Sequence, residues 1–142
     1  MNLIIDRVYI GTWQEAASLV NQNSVNITTV LNVAEPIYPR SNLIEYRNII
    51  FADSAPIPRE QFDACMNFLN DRYSENKDIL VHCALGVSRS PVIVGAFLVK
   101  IKYCSDLAEA LALIKAKREI VNPHPVVYQS AQQYLNQEVR RD

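Results

Sequence analysis

The sequence contains few cysteines, has no excess of charge of either sign, and lacks a long hydrophobic run. An odd total of three cysteines in 142 residues argues against a secreted disulfide scaffold and indicates reduced thiols. Fourteen basic residues against fifteen acidic residues give a net charge of -1, which argues against a dedicated nucleic-acid-binding protein. The longest apolar run, residues 92–99, is too short to cross a bilayer.

The first residues, Met1 to Arg7, have neither the basic region nor the apolar stretch of a secretory signal. We therefore expect a cytoplasmic or nuclear protein that uses neither a membrane nor a nucleic acid as a partner. The 49% of apolar residues and 20% of charged residues are typical of a globular domain with a hydrophobic core. We expect one domain over residues 1–142.

Segments rich in β-branched residues alternate with segments of helical periodicity, which predicts an α/β domain. We expect a central, mostly parallel sheet of about four to five strands flanked by helices. The predicted strands are 3–10, 27–33, 44–51 and 78–81. The predicted helices are 13–20, with Thr12 as N-cap; a helix opening at residues 58–60; 91–103; 106–118, with Ser105 as N-cap; and 125–139.

The segment His82-Cys83-Ala84-Leu85-Gly86-Val87-Ser88-Arg89-Ser90 lies between a predicted buried strand and a predicted buried helix. At such a junction a loop can direct successive backbone N–H groups at one point, next to the positive end of a helix dipole. Ser90 suits the N-cap and Pro91 the first helical position, while Gly86 permits close approach of the backbone. The pattern predicts an oxyanion-binding loop, and we call residues 83–89 the phosphate loop.

The side chains of this loop suit phosphoryl transfer. A cysteine beside a helix N-terminus and a cation has a lowered pKa, so Cys83 is the candidate nucleophile. Arg89 offers a bidentate clamp for two oxygens of a tetrahedral anion. Ser90 is placed to hydrogen-bond the sulfur and assist its departure, whereas His82 is expected to support the loop from behind.

The reaction also needs a proton donor for the leaving oxygen. Asp53 is the candidate because it follows an apolar strand, and loops at one edge of an α/β sheet converge on active sites.

Two other groups of residues are expected to be structural. Cys65 and Cys104 are interpreted as core or helix-surface thiols, and Lys115, Lys117 and Arg118 as a solvated helix end.

Residues 82–90 resemble the signature of the cysteine-dependent protein tyrosine phosphatases, and the ending Ser88-Arg89-Ser90 resembles the dual-specificity branch. Residues 3–11 resemble the opening strands of that branch, and Asp53 stands thirty residues before Cys83, where such enzymes carry a general acid. The resemblance implies that residues 84–89 bind phosphate (Ala84, Leu85, Gly86, Val87, Ser88, Arg89), and that phosphorylated proteins are the substrates. No cofactor or metal is expected.

One position departs from the family pattern. Members often carry a Pro-Asn pair before the last helix whose asparagine fixes the phosphate loop, but this chain has Pro123-His124. Asn122, just before the proline, is the alternative candidate for a loop-supporting residue.

Two other functions remain as alternatives. One is hydrolysis of a non-protein phosphate ester, such as a phosphoinositide, a nucleotide or an RNA end. The neutral Ala84, Leu85 and Val87 disfavour a highly anionic substrate of this kind. The other is a pseudophosphatase that binds phosphorylated partners without turnover, for which His124 is the only support because Cys83, Arg89 and Asp53 are all present.

Overall fold

The computed structural model describes residues 1–141, with side chains described through residue 138, and has a five-stranded sheet at its centre. The strands are β1 (Asn2–Ile5), β2 (Val8–Gly11), β3 (Thr29–Asn32), β4 (Glu45–Asn48) and β5 (Ile79–His82). They lie in the order β1-β2-β5-β3-β4, in which β1 and β2 pair antiparallel and all other neighbours pair parallel. The predicted fold class is confirmed.

Helices cover both faces of the sheet. They are α1 (Trp13–Ser18), α2 (Arg59–Ser74), α3 (Arg89–Lys100), α4 (Leu107–Lys117) and α5 (Pro125–Arg141). Alternate side chains of β5 enter two separate apolar clusters, because successive residues of a strand point to opposite faces. Ile79 and Val81 pack with α2 to α5, whereas Leu80 packs with α1. The nearly fully buried α3 lies at the centre of the larger cluster, as its apolar sequence predicts.

The single strand predicted over residues 3–10 is wrong, because the chain turns in its middle. β1 and β2 form an antiparallel hairpin in which Leu3 pairs with Tyr9. Arg7 makes the turn with a left-handed φ of 66°. Arginine rarely adopts this conformation, so the sequence gives no turn signal there. The guanidinium of Arg7 donates to the carbonyl oxygens of Tyr73 and Lys77, which fixes the turn against the end of α2.

Two predicted helix caps are also corrected. Helix α3 begins at Arg89 with Ser88 at the N-cap position, so Ser90 and Pro91 lie within its first turn. Proline is tolerated there because the first N–H groups of a helix have no intrahelical acceptor. Helix α4 is capped by Asp106 rather than Ser105, since the Asp106 carboxylate accepts from the N–H of Glu109 at 2.8 Å. Thr12 caps α1 as predicted, in a capping box with Glu15.

The parallel strands end in register at one edge of the sheet. His82 of β5 lies between Gly11 of β2 and Asn32 of β3, and Asn32 lies beside Asn48 of β4. The phosphate loop follows β5 at this edge, and the segment containing Asp53 follows β4. Parallel topology therefore brings two segments distant in sequence to one place. No helix in the described part of the chain has the length and apolar character needed to cross a membrane.

Candidate active site

The phosphate loop is held by hydrogen bonds to the outside of its curve. The six carbonyl oxygens of residues 83–88 all accept hydrogen bonds, in chain order from His82 Nδ1, Trp13 N, Arg118 Nη2, Arg118 Nε, Asn122 N and Val92 N. The backbone N–H groups of residues 84–89 donate to no oxygen in the described part of the chain. Because the carbonyls are occupied on the outside, these N–H groups remain as donors for an anion inside the loop.

Gly86 is required at the middle of this loop. Its φ of +66° lies in the left-handed region, where glycine carries no steric cost. A Cβ on Gly86 would lie 2.7 Å from the carbonyl oxygen of Gly11 and 2.8 Å from Nη2 of Arg118. The close packing of the loop on β2 and on Arg118 therefore depends on the absence of a side chain here.

Arg118 is the functional residue that the sequence interpretation missed. The sequence predicts a solvated helix end at this position, but Arg118 is only 7% exposed and contacts the phosphate loop. Its guanidinium donates from Nε to Gly86 at 2.9 Å and from Nη2 to Leu85 at 3.0 Å, both to carbonyl oxygens. A third bond, from Nη1 to Oδ1 of Asn2 at 2.7 Å, fixes the guanidinium to β1. Lys115 and Lys117 are exposed, as expected.

Cys83 lies at the bottom of the loop, 3% exposed, with its Sγ 3.2 Å from Oγ of Ser90. Burial raises the pKa of the Cys83 thiol, but four other influences act in the opposite direction. They are the Ser90 hydroxyl, the backbone N–H groups of Ser90 and Gly86, and the charge of Arg89. Their sum places the pKa of Cys83 below its ordinary value, which favours the nucleophilic thiolate.

The other two cysteines have the opposite environment. Burial raises the pKa of Cys65 to about 12, and burial with the nearby carboxylates of Glu109 and Asp106 raises that of Cys104. Both are buried free thiols, which agrees with their interpretation as structural residues.

His82 supports the nucleophile from behind, in a chain of two hydrogen bonds. Its Nδ1 lies 3.0 Å from the carbonyl oxygen of Cys83, and its Nε2 lies 2.7 Å from the hydroxyl of Tyr38. A carbonyl only accepts, so Nδ1 carries the proton and Tyr38 donates to Nε2. Burial lowers the pKa of His82 and raises that of Tyr38 to about 12, so both groups remain neutral. His82 has no exposed surface, and its position agrees with a role in holding the loop.

Asp53 and Arg89 meet at the open side of the phosphate loop. Nη1 of Arg89 donates to the carbonyl oxygen of Phe51 at 3.1 Å, and Oγ of Ser88 donates to Oδ1 of Asp53 at 2.5 Å. Asp53 belongs to the segment 51–57, which we call the acid loop. The structure therefore brings the candidate acid and the candidate clamp to the same loop as the candidate nucleophile.

These residues line one cleft of about 490 Å³. Its wall contains Asp53, Cys83, Ala84, Leu85, Val87, Ser88, Arg89, Asn122, Pro123, His124 and Pro125. Gly86 and Ser90 are buried and lie outside this lining, where they support the loop and the sulfur. Among the described residues of the wall, Asp53 is the one carboxylate and Arg89 the one arginine or lysine.

The segment before α5 supports the phosphate loop through its backbone. Asn122 donates from its backbone N–H to the Val87 carbonyl at 2.8 Å, and His124 donates from its own to Oγ of Ser88, also at 2.8 Å. The imidazole of His124 caps α5, because its Nδ1 accepts from the N–H of Val126 at 3.2 Å. Contacts at residues 122 and 124 thus hold the loop without the asparagine of the family pattern.

Comparisons with known proteins agree with this geometry. The family described as "Dual specificity phosphatase, catalytic domain" matches residues 8–137. Dual specificity protein phosphatase 1 of Arabidopsis thaliana is 33% identical over 125 residues, covering 87% of this chain and 63% of that protein. Dual specificity protein phosphatase 15 of Homo sapiens is 31% identical over 134 residues, covering 92% of this chain and 44% of that protein. The chain thus spans less than two thirds of these two curated relatives.

Solved structures share the fold. The crystal structure of DUSP15 superposes with a TM-score of 0.85 at 29% identity, covering 98% of this chain and 91% of that one. The crystal structure of human DUSP28 superposes with a TM-score of 0.89 at 17% identity, with both chains covered completely. At that identity the second likeness concerns the fold alone.

Proposed function

Because the chain belongs to the family of dual specificity phosphatase catalytic domains, we propose that it hydrolyses phosphotyrosine and phosphoserine or phosphothreonine in proteins. The reaction proceeds through a phosphate ester on the sulfur of Cys83. The observation that carries the proposal is that Cys83, Arg89 and Asp53 line one cleft, beside a loop whose described carbonyls accept hydrogen bonds while its N–H groups at residues 84–89 donate to no oxygen in the described part of the chain.

In the first step the Cys83 thiolate attacks the phosphorus atom, and the bond from phosphorus to the leaving oxygen breaks. The N–H groups of residues 84–89 and the guanidinium of Arg89 stabilise the three equatorial oxygens as their charge redistributes. Asp53 donates its proton to the leaving oxygen, so the product leaves as a neutral alcohol or phenol. The released hydroxyl-bearing side chain then exchanges for water.

In the second step water attacks the cysteinyl phosphate while the Asp53 carboxylate accepts a proton from that water. The sulfur–phosphorus bond breaks, inorganic phosphate is released, and the Cys83 thiolate is restored. The Ser90 hydroxyl, 3.2 Å from Sγ, donates to the departing thiolate and stabilises its negative charge.

The charge of the cleft supports a substrate with one phosphate. Arg89 is the one arginine or lysine among the described residues of the wall, and apolar residues such as Leu85 and Val87 line the same cleft. A polyanionic ester, such as a phosphoinositide with further phosphates, would leave those phosphates without a cationic partner in this wall.

The thiolate requires reducing conditions, which supports a location in the cytoplasm or nucleus.

The experiment is a turnover assay with 4-nitrophenyl phosphate on the wild type, Cys83→Ser and Cys104→Ser. We expect vanadate-sensitive turnover in the wild type, its loss in Cys83→Ser, and its retention in Cys104→Ser, the matched control. Turnover retained by Cys83→Ser would overturn the mechanism. An inactive wild type that binds vanadate would support the pseudophosphatase alternative.

Phosphotyrosine and phosphothreonine peptides, together with a phosphoinositide in vesicles, then test the substrate class. We expect phosphate release from both peptides at rates well above that from the phosphoinositide. A higher kcat/KM on the lipid would replace the proposed substrate class with a non-protein ester.

A further inference from the structure

The acid loop is held by hydrogen bonds at its start, its middle and its end. At the start, Arg89 donates to the carbonyl oxygen of Phe51, and in the middle Ser88 donates to the carboxylate of Asp53. At the end, both backbone groups of Ile57 bind to side chains of α5. The position of Asp53 is thus determined by contacts from two different elements, the phosphate loop and α5.

The hydroxyl of Ser88 has its direction fixed by a second hydrogen bond. The backbone N–H of His124 donates to Oγ of Ser88 at 2.8 Å, which occupies a lone pair of that oxygen. A hydroxyl has a single proton to donate, and in Ser88 it goes to Oδ1 of Asp53. Ser88 is buried, so water competes little for this proton. Because Oδ1 of Asp53 accepts this hydrogen bond, the proton of the carboxyl group is carried by the other oxygen, Oδ2.

Helix α5 fixes the other end of the acid loop. The N–H of Ile57 donates to Oγ of Ser130 at 3.0 Å, and the hydroxyl of Tyr134 donates to the carbonyl oxygen of Ile57. Ser130 is itself oriented, because its hydroxyl donates to the carbonyl oxygen of Val127 at 2.9 Å. The ring of Tyr134 packs on Phe62 with centroids 5.0 Å apart, which fixes the phenol. Ile57 has no exposed surface, so its two backbone groups depend on these partners.

We propose that Ser88, Ser130 and Tyr134 are positioning residues for Asp53. Ser88 holds Oδ1 as an acceptor so that Oδ2 delivers the proton to the leaving oxygen and later accepts one from water. Ser130 and Tyr134 hold the end of the acid loop, so that the carboxyl group of Asp53 stays within hydrogen-bond distance of Ser88 in the phosphate loop. The inference rests on the proposed function, in which Asp53 is the general acid.

A double-mutant cycle of Ser88→Ala with Asp53→Asn tests the role of Ser88. Turnover is measured on 4-nitrophenyl phosphate, whose leaving group needs little protonation, and on phenyl phosphate, whose leaving group needs it. We expect Ser88→Ala to lower kcat on phenyl phosphate about tenfold, the loss typical of a hydrogen bond to a charged group, and kcat on 4-nitrophenyl phosphate much less. In the Asp53→Asn background the same change should have almost no further effect.

The same pair of substrates tests α5. Ser130→Ala and Tyr134→Phe should each lower kcat on phenyl phosphate by about threefold, with little change on 4-nitrophenyl phosphate, because each removes one neutral hydrogen bond. Tyr128→Phe is the matched control on the same helix, since its hydroxyl binds none of the described residues of the acid loop. It should leave both rates unchanged.

The outcomes separate this inference from the proposed function. If Asp53→Asn lowers the rates on both substrates equally, Asp53 is not the acid and the proposed mechanism fails. If Asp53→Asn shows the leaving-group dependence but Ser88→Ala lowers both rates equally, or adds its full effect to Asp53→Asn, only the positioning role is wrong. Equal vanadate inhibition of Ser88→Ala and wild type would exclude an indirect effect through phosphate binding.

Discussion

Nε of Arg118 donates a 2.9 Å hydrogen bond to the carbonyl oxygen of Gly86, and the neighbouring Nη2 binds the carbonyl of Leu85. A planar guanidinium can bind two consecutive carbonyls in this way, whereas an ammonium cannot match both. The buried guanidinium also lies within electrostatic reach of Cys83, whose negative charge opposes the lowering of the Arg118 pKa by burial. Arg118 thus orients two of the peptide groups whose N–H donors face the anion.

Removing this guanidinium should damage both stability and turnover. Arg118→Ala leaves one buried carbonyl oxygen, of Gly86, and one partly buried carbonyl oxygen, of Leu85, without a donor. The loss should destabilise the protein by about 2–3 kcal/mol and lower kcat/KM by about 10- to 100-fold. Compared with Arg118→Ala, Arg118→Lys should regain more of the stability than of the turnover, because an ammonium cannot orient both carbonyls as the guanidinium does. Urea unfolding and turnover of 4-nitrophenyl phosphate measure the two effects. Lys117→Ala, an exposed cation of the same helix end, is the control; equal turnover of Arg118→Ala and Lys117→Ala would contradict this role.

Tyr38 should contribute to the same loop from the other side. Tyr38→Phe removes the donor to Nε2 of His82 and leaves a buried nitrogen unpaired, at a cost of about 1–3 kcal/mol in the free energy of unfolding. We expect kcat to fall by about two- to fivefold, which is less than for Arg118→Ala, because the hydrogen bond from Nδ1 of His82 to the carbonyl oxygen of Cys83 remains. The exposed Tyr103→Phe is the matched control. Equal unfolding midpoints for the two variants would show that this bond adds nothing to stability.

Much of the site was predictable because its signals are local. The strand, loop and helix around residues 82–90 follow one another in the chain, and each has its own pattern of apolar residues, glycine and serine. Residues from other elements then stabilise the phosphate loop by hydrogen bonds to its carbonyl oxygens. Asp53 was also predictable, because parallel strands bring their carboxyl ends to one edge of the sheet.

The missed features depend on contacts between distant residues or on unusual conformations. Arg118 follows Lys115 and Lys117 at the end of α4, where basic residues normally favour the helix dipole from solvent. Its partners lie more than thirty residues earlier, and no periodicity shows that contact. The start of α3 was misplaced because Ser88 and Ser90 both suit a helix cap, while Ser90 binds the sulfur of Cys83 instead.

The Ser90 hydroxyl should control the reactivity of Cys83. Among the influences that lower the pKa of Cys83, the Ser90 hydroxyl is the largest, so Ser90→Ala should raise that pKa. Alkylation by iodoacetamide, which requires the thiolate, should then begin at a higher pH than in the wild type. Turnover should fall by about 10- to 100-fold, since the departing thiolate loses a hydrogen bond to its charge. Ser105→Ala is the exposed control, and an unchanged pH dependence in Ser90→Ala would contradict this account.

The buried His82 should make the protein less stable in mild acid. Burial lowers the pKa of His82 in the fold below its ordinary value of 6.5, and the Nδ1 bond to Cys83 opposes that shift only in part. Below pH 6.5 the unfolded chain therefore binds a proton that the folded chain excludes, so the free energy of unfolding falls as the pH drops. His82→Gln removes this linkage. Urea unfolding at pH 7.5 and pH 5.5 should show a larger loss in the wild type than in His82→Gln, while the carboxylates contribute equally to both. Equal losses would mean that His82 is protonated in the fold, and the hydrogen-bond assignment from Tyr38 to Nε2 would then be wrong.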